Sequence, residues 1–199
     1  LMASQHFNRV PQHADEAEML RGGMLLSYGM HLEAGRIFQA LIDKGLPPEA
    51  RDRAWYFLAK VRFQRALPAQ AEEALARIQG KLPPELQEDK VLLQSQLLLA
   101  RGDNAGAADV LKTLPEDSPG MPYARFNLGV AFIKGGDFKS GSKVLEELGR
   151  IPGANEEIRS LRDKANVALG FAELGLDHPS EARNALQRVR LEGLMSNKA

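Results

Sequence analysis

Apolar positions along this chain recur three and four residues apart, the period of a helix that buries one face, and nowhere alternate over five or more residues as a strand would. The clearest instance is Tyr123–Leu148, YARFNLGVAFIKGGDFKSGSKVLEEL. Leu128, Gly129 and Phe132 share one helical face, Gly135-Gly136-Asp137 breaks the pattern, and Gly141, Leu145 and Leu148 share a second face. Two helices joined by so short a break must lie antiparallel. Gly129 and Gly141 suit a close approach of the two backbones, with larger residues one turn away to fill the space beside them. A lone pair would leave an apolar face open, so the pattern demands neighbours.

Those neighbours are visible as self-similarity. The ladder Gly129, Gly141, Leu145, Leu148 recurs as Gly22, Ala34, Phe38, Leu41, then as Ala59, Ala71, Leu75, Ile78, and again as Ser95, Ala107, Leu111, Leu114. A fifth copy, Ala168, Ala182, Leu186, Val189, is stretched by two residues, which the turn Leu176-Asp177-His178-Pro179 is expected to absorb. At the second small residue the steps are 37, 36, 34 and 41 residues.

With this spacing and these residues the chain resembles the tetratricopeptide repeat family, whose signature runs large residue, Leu-Gly, aromatic, Ala, large residue, Pro over about 34 residues. The second copy matches best, with Trp55, Leu58-Ala59, Ala71, Leu75 and Pro83. Departures are Arg62 where an aromatic is expected, with Phe63 beside it, Arg125 for a large apolar residue, and Gly141 for Ala. The resemblance covers Asp15 to Arg190. It implies an all-α, right-handed superhelical solenoid of about five antiparallel helix pairs, near 15–44, 48–79, 84–114, 122–149 and 155–190. Residues 1–14 are expected as a flexible lead-in, and 191–199 as the start of a further helix. A beginning at Leu1-Met2-Ala3-Ser4 does not look like a native initiator, and the natural protein is expected to continue beyond Ala199.

The segmentation follows from the breakers. Gly45-Leu46-Pro47-Pro48 ends the first pair, Gly80-Lys81-Leu82-Pro83 the second, and Ile151-Pro152-Gly153 the fourth. Pro115–Pro122, with three prolines and Gly120, is a joint in the array rather than a boundary, since the repeat phase is nearly kept across it. Ser180 is expected to cap the last helix.

Composition removes whole classes of function. The 26 basic and 26 acidic residues cancel, so neither a nucleic-acid track nor an anionic membrane is an expected partner. With no cysteine there is no disulfide, thiolate nucleophile or thiolate metal site. The longest apolar stretch, Val91–Ala100, is interrupted by Gln94-Ser95-Gln96 and falls short of a membrane span of roughly 20 residues, so no membrane insertion is expected. His6, His13, His31 and His178 lie in the lead-in and in turns, with no second ligand at metal spacing. Gly22-Gly23 and Gly135-Gly136-Asp137 lack the Lys-Ser/Thr of a phosphate loop, and Glu72-Glu73, Glu146-Glu147 and Glu156-Glu157 point about 100° apart on a helix. No catalytic residue, no metal site and no cofactor is expected, and the chain is read as not an enzyme.

By resemblance, partner contacts belong to the first helix of each pair, which in this family lines the concave groove. The candidates are Arg53, Tyr56, Lys60 and Phe63 in the second pair and Gln96 in the third. Tyr123, Phe126, Asn127 and Val130 follow in the fourth, and Arg162 and Asn166 in the fifth. Aromatic anchors with amides suit a peptide or helical segment of another protein, where the amides satisfy backbone groups. Phe63, Leu92 and Phe126 read equally well as core between pairs, whereas Tyr56, Asn127 and Asn166 favour the partner-facing reading. The family's Lys/Asn/Arg clamp for a chaperone's terminal carboxylate is not reproduced, because Met19 and Gly23, Tyr56 and Lys60, and Leu92 and Gln96 occupy its slots.

The function expected is therefore a protein-binding scaffold, within a larger bacterial multi-repeat protein of periplasm or cytoplasm. Two alternatives stay open. One is self-assembly into a homodimer or extended superhelix, suggested by Leu191, Leu194 and Met195. The other is a regulatory appendage of an enzyme outside this chain.

Overall fold

The computed structural model describes residues 11–153 and 155–190. Every regular element among them is a helix, ten in all: α1 Pro11–Ser27, α2 His31–Asp43, α3 Pro48–Gln64, α4 Pro68–Ala76, α5 Pro84–Ala100, α6 Asn104–Leu111, α7 Met121–Lys134, α8 Phe138–Gly149, α9 Glu156–Gly175 and α10 Pro179–Leu186. Successive helices pair as the periodicity predicts, so the chain is an all-α helical repeat. It divides into two compact units at Lys90/Val91, within α5.

All five pairs are closed by the same device. Each first helix is followed by a three-residue turn whose middle residue is left-handed: Gly29 (φ 76°), Ala66 (57°), Gly102 (86°), Gly136 (85°) and Asp177 (59°). The residue after it donates its amide back five residues, Met30 to Leu25, Leu67 to Arg62, Asp103 to Leu98, Asp137 to Phe132 and His178 to Glu173, each at 2.9 Å. This reversed end satisfies carbonyls that a helix terminus otherwise leaves open. In two pairs the same residue also caps the returning helix, since Asp103 accepts from the Gly106 amide at 2.9 Å and Asp137 from the Ser140 amide at 3.0 Å.

Seven residues before each left-handed residue lies the small residue of the ladder, and there the two helices touch. A Cβ placed on Gly129 would lie 2.7 Å from Leu145 Cγ, and one on Gly22 2.8 Å from the Phe38 ring. On Gly141 it would lie 2.6 Å from Ile133 Cγ1 and 3.1 Å from the Gly129 carbonyl oxygen. The facing large residues are correspondingly interior, with Phe38 and Leu145 both fully buried.

The same contact rephases the fifth pair. A Cβ on Gly170 would meet Leu186 at 2.8 Å, so Gly170 and not Ala168 is the small residue of α9. From Gly170 to Ala182 the spacing is twelve residues, as in the other pairs, and the turn Leu176–His178 has the common three-residue length. No stretch exists there. The extra residues precede Gly170, in a first helix of 20 residues against 14 in α7.

Other boundaries shift for local reasons. α1 begins at Pro11 and so takes in part of the expected lead-in, because proline is tolerated in a first helical turn. Residues 1–10 and the expected helix start at 191–199 lie outside the described residues. At α10, Pro179 occupies the first turn and His178 the cap position, which places Ser180 inside the helix rather than at its cap. Asn155 caps α9 by accepting from the Ile158 amide at 2.9 Å.

In the first unit, Met19, Leu26, Ile37, Phe38, Leu41, Leu58 and Val61 form one cluster, with Phe57 stacked on Phe38 at a 5.2 Å centroid separation. In the second unit, Leu145, Leu148, Leu161, Ala165 and Leu169 join α8 to α9, and Ala107, Ala108 and Ala131 join α6 to α7.

The turns make two of these contributions measurable. An L-residue is strained in the left-handed conformation that glycine adopts freely, so Ala66→Gly should raise stability or leave it level despite glycine's larger unfolded-state entropy, with a gain of up to about 1 kcal/mol in urea unfolding. A loss comparable to that of a mid-helix glycine would refute the strain. The Asp137 carboxyl is held below its usual range by its hydrogen bonds with Ser140, and Asp103 by the Gly106 amide and then Arg101. A depressed folded-state value stabilises the fold fully above the unfolded value and is lost as pH falls through the folded one, so both caps weaken below about pH 4. Asp137→Asn with Asp103→Asn should flatten that acid limb while leaving the neutral-pH melting temperature nearly unchanged.

Candidate functional site

Positions on the first helices can be counted from the small residue, and each count makes a row through successive pairs. Six before it, the row reads Glu16, Arg53, Asp89, Tyr123 and Lys164; one after it, Gly23, Lys60, Gln96, Val130 and Phe171. Rephasing the fifth pair puts Lys164 where Arg162 was expected and Ala168 where Asn166 was expected.

In the first unit the candidate side chains are engaged internally. Arg53 Nη2 meets both carboxylate oxygens of Glu16 at 2.8 Å. The Tyr56 hydroxyl donates to Asp89 at 3.1 Å, and Lys60 Nζ lies 3.7 Å from the same carboxylate. Tyr56 is buried, 1% exposed, with its ring edge-on to Phe57. Burial first, then the Asp89 charge, pushes its phenol far above the usual range. Tyr56 is thus an interior residue rather than a partner contact. Phe63 is half-buried on the last turn of α3. Beside Arg53 an opening of about 430 Å³ is lined by Asp15, Glu16, Leu46, Pro47, Glu49, Ala50, Lys81, Leu82 and Pro83.

In the second unit α5, α7 and α9 bound a cleft of about 480 Å³. Its walls are Leu92 and Gln96 from α5, Tyr123, Phe126 and Asn127 from α7, and Glu156, Glu157, Ser160, Leu161 and Lys164 from α9. Four expected residues, Gln96, Tyr123, Phe126 and Asn127, therefore come together. The Tyr123 hydroxyl is buried without a well-formed hydrogen bond. Burial, then the neighbouring Glu157 carboxylate, pushes its phenol up to about 12. Glu156 is occupied by Arg159 and Arg190, whereas Glu157 and Lys164 are exposed at the mouth with opposite charges.

Asn127, Asn166 and Val130 serve the fold. Asn127, 8% exposed, donates to Ser95 Oγ at 3.3 Å, holding α7 to α5 behind the cleft. Asn166 is fully buried; it donates to the Gly149 carbonyl at 3.1 Å and accepts from Arg188 Nε at 2.9 Å. Arg188 in turn pairs with Glu146 at 2.6 Å. Partial burial works to raise Glu146, but its bonds from Arg188 and Arg150 outweigh that and hold it low. Val130 packs half-buried beside Leu98, Leu99 and Ala131. Arg162 is half-buried near Gly153 and does not line the cleft.

Buried acids seven residues before the small residue were not anticipated. Asp52, 1% exposed, accepts from the amides of Gln79 at 3.3 Å and Gly80 at 2.6 Å, and Asp163, fully buried, accepts from Arg190 Nε at 2.7 Å. Asp15 holds Lys44 from the same position. Each ties the first half of a first helix to the segment that follows its own second helix. Their common count from the small residue was the signal in the sequence.

No group of three or more acidic or histidine side chains able to hold a metal ion occurs among the described residues, and no described helix is long and apolar enough to cross a membrane.

Comparison with known proteins gives the same class. Residues 98–165 match the family model for the tetratricopeptide repeat. A crystal structure of the nearly identical TPR-like repeats of a candidate kinesin light chain from Podosopora anserina superposes with a TM-score of 0.65 at 17% identity, covering 88% of this chain and 92% of that one. The structure of a single-residue variant of the same repeats gives 0.66 at the same identity and coverage. No curated relative matches the sequence. The chain is thus an all-α helical repeat that carries a tetratricopeptide repeat match over residues 98–165, and such repeats generally act as scaffolds for other proteins.

The division between interior and cleft residues has a direct test. Asn166→Ala strips a partner from a buried carbonyl and from Arg188, and should cost about 1–3 kcal/mol in chemical unfolding. Glu157→Ala, exposed at the cleft mouth, should change stability by less than about 0.5 kcal/mol. Equal effects would mean that Asn166 is not part of the interior.

Proposed function

We propose that the cleft between α5, α7 and α9 receives a short segment of a partner protein. The observation that carries this reading is the pairing of an apolar wall, Leu92, Phe126 and Leu161, with the Tyr123 hydroxyl, buried beside the Glu157 carboxylate without a well-formed hydrogen bond, and with the opposite charges of exposed Glu157 and Lys164. An apolar or aromatic side chain would displace water from the wall, and a backbone carbonyl could accept from Tyr123. Glu157 favours a basic residue on one side of that anchor, and Lys164 an acidic one on the other. The scaffold role general to tetratricopeptide repeats supports the same class of partner.

This surface is narrower than the groove expected from the sequence. Gln96, Tyr123 and Phe126 remain its contact residues, with Asn127 as support, and Glu157 and Lys164 join them. In the first unit the charges of the corresponding rows are already engaged with Glu16 and Asp89.

Selection from a random peptide display library against the full chain tests the reading. Peptides with an aromatic or large aliphatic anchor flanked by a base should be enriched, and Glu157→Lys with Lys164→Glu should weaken them about tenfold or more with no change in melting temperature. Absence of enrichment, or equal retention by the double variant, would overturn it.

A further inference from the structure

We infer that Arg190, which does not line the cleft, is a positioning residue for its α9 wall, so that partner binding depends on the segment that follows α10. The inference rests on the reading of the cleft as a partner site and identifies what holds that site in shape.

The α9 wall departs from the rest of the repeat. Counted back from the small residue, α1, α3 and α5 each begin eleven residues before it, at Pro11, Pro48 and Pro84, and α7 begins eight before it, at Met121. α9 begins fourteen before it, at Glu156. Its cleft residues Glu156, Glu157, Ser160 and Leu161 lie nine to fourteen residues before Gly170, in turns that have no counterpart on α7. Glu157, Ser160, Leu161 and Lys164 follow the three-and-four spacing of one helical face, so a tilt of these first turns moves the whole stripe.

Arg190 grips this overhang at two points. Its Nε donates to Asp163 Oδ2 at 2.7 Å and its Nη1 to Glu156 Oε2 at 3.0 Å. In the first two pairs the acid at the Asp163 position makes a comparable tie, Asp15 to Lys44 and Asp52 to Gly80. The bond to Glu156 is the addition, and it falls on the first residue of the overhang. An exposed ion pair ordinarily contributes little, since two flexible side chains must be immobilised to form it. Here Asp163 is fully buried and has already fixed the guanidinium, so Glu156 alone remains to be ordered. The Glu156 carboxyl is held below its usual range by Arg190 first and then by Arg159. The planar fork matters, because a single ammonium does not present directed donors to carboxylates on residues two helical turns apart. With the fork in place Glu157, the next residue, is held beside Tyr123.

Removing Arg190 outright would strand the buried Asp163 charge, so two milder variants carry the test. In Arg190→Lys the ammonium should stay with Asp163 and release Glu156. In Arg190→Met with Asp163→Leu the pair is replaced by apolar side chains, which the fold should accept, since Asp163 Oδ1 and Arg190 Nη2 are already buried without hydrogen bonds. Both variants should keep the wild-type melting temperature. In both, amides from Arg159 to Asp163 should exchange with solvent about threefold faster or more, with α7 and α10 unchanged. Peptides selected on the full wild-type chain from a random display library, each made with its basic residue and again with glutamine in that place, supply the second readout. The basic forms should bind both variants about threefold more weakly than the wild type, and the glutamine forms should bind all three chains alike, because the placement of Glu157 is what has been lost. Unchanged exchange, unchanged binding of the basic forms, or equal weakening of both forms overturns the inference and leaves the cleft as a partner site. A wild-type chain that selects no peptide overturns the cleft reading and this inference with it.

Discussion

The close approach of two antiparallel helices at one small residue is the constraint on which the rest depends. At Gly129 and Gly170 there is no room for a Cβ beside Leu145 and Leu186, and at Gly22 none beside Phe38. That contact sits sixteen residues from its partner because a three-residue left-handed turn lies between, always seven residues after the small one. Burying each facing Leu or Phe contributes about 1.5–3 kcal/mol, an amount that depends on the turn placing it opposite a residue without bulk. The spacing inside a pair is therefore fixed, while the links between pairs vary freely in length.

With spacing fixed inside the pair, the outward rows of the first helices are free to carry different chemistry. In the first unit that freedom is used up internally: Arg53 closes on Glu16, and Tyr56 and Lys60 close on Asp89. In the second unit the same rows carry Tyr123 and Lys164, which do not pair with each other, and a cleft remains between the helices. The unit with satisfied charges is bound to itself. The unit in which Tyr123 lies beside Glu157 and the two charges stand apart is the one proposed to receive a partner.

Periodicity made the pairs, their turns and four of the five small residues legible from the sequence, because each is a local pattern. The fifth was misplaced for a local reason too: Ala168 and Gly170 are both small and two apart, and the facing Leu186, with the twelve-residue spacing to Ala182, singles out Gly170. The buried polar residues were legible only in part. Tyr56, Asn127 and Asn166 are amphipathic or polar, and composition alone favours exposure; their partners, Asp89, Ser95 and Gly149, lie 33, 32 and 17 residues away. Nothing near them in the chain announces those bonds. Gln96, Tyr123 and Phe126 were placed because a row on a helix follows from counting, and Lys164 was missed because the count began two residues early.

The buried polar bonds also explain why the apolar ladder does not slip. Leu, Ala and Gly recur often enough that a first helix displaced by one turn would still present apolar side chains to its neighbour. Such a shift in α9 would draw Asp163 away from Arg190 and Asn166 away from Gly149, leaving a carboxylate, an amide and a carbonyl buried without partners, at about 1–3 kcal/mol for each neutral group and more for the charge. Gly149 is part of the same lock, since a Cβ there would lie 2.4 Å from Asn166 Oδ1. Gly80 stands in that relation to Asp52, at 3.0 Å, and donates its amide to the same carboxylate. Apolar burial holds these helices together, and a few buried acids and amides, each matched to specific partners distant in the chain, select the register in which they are held.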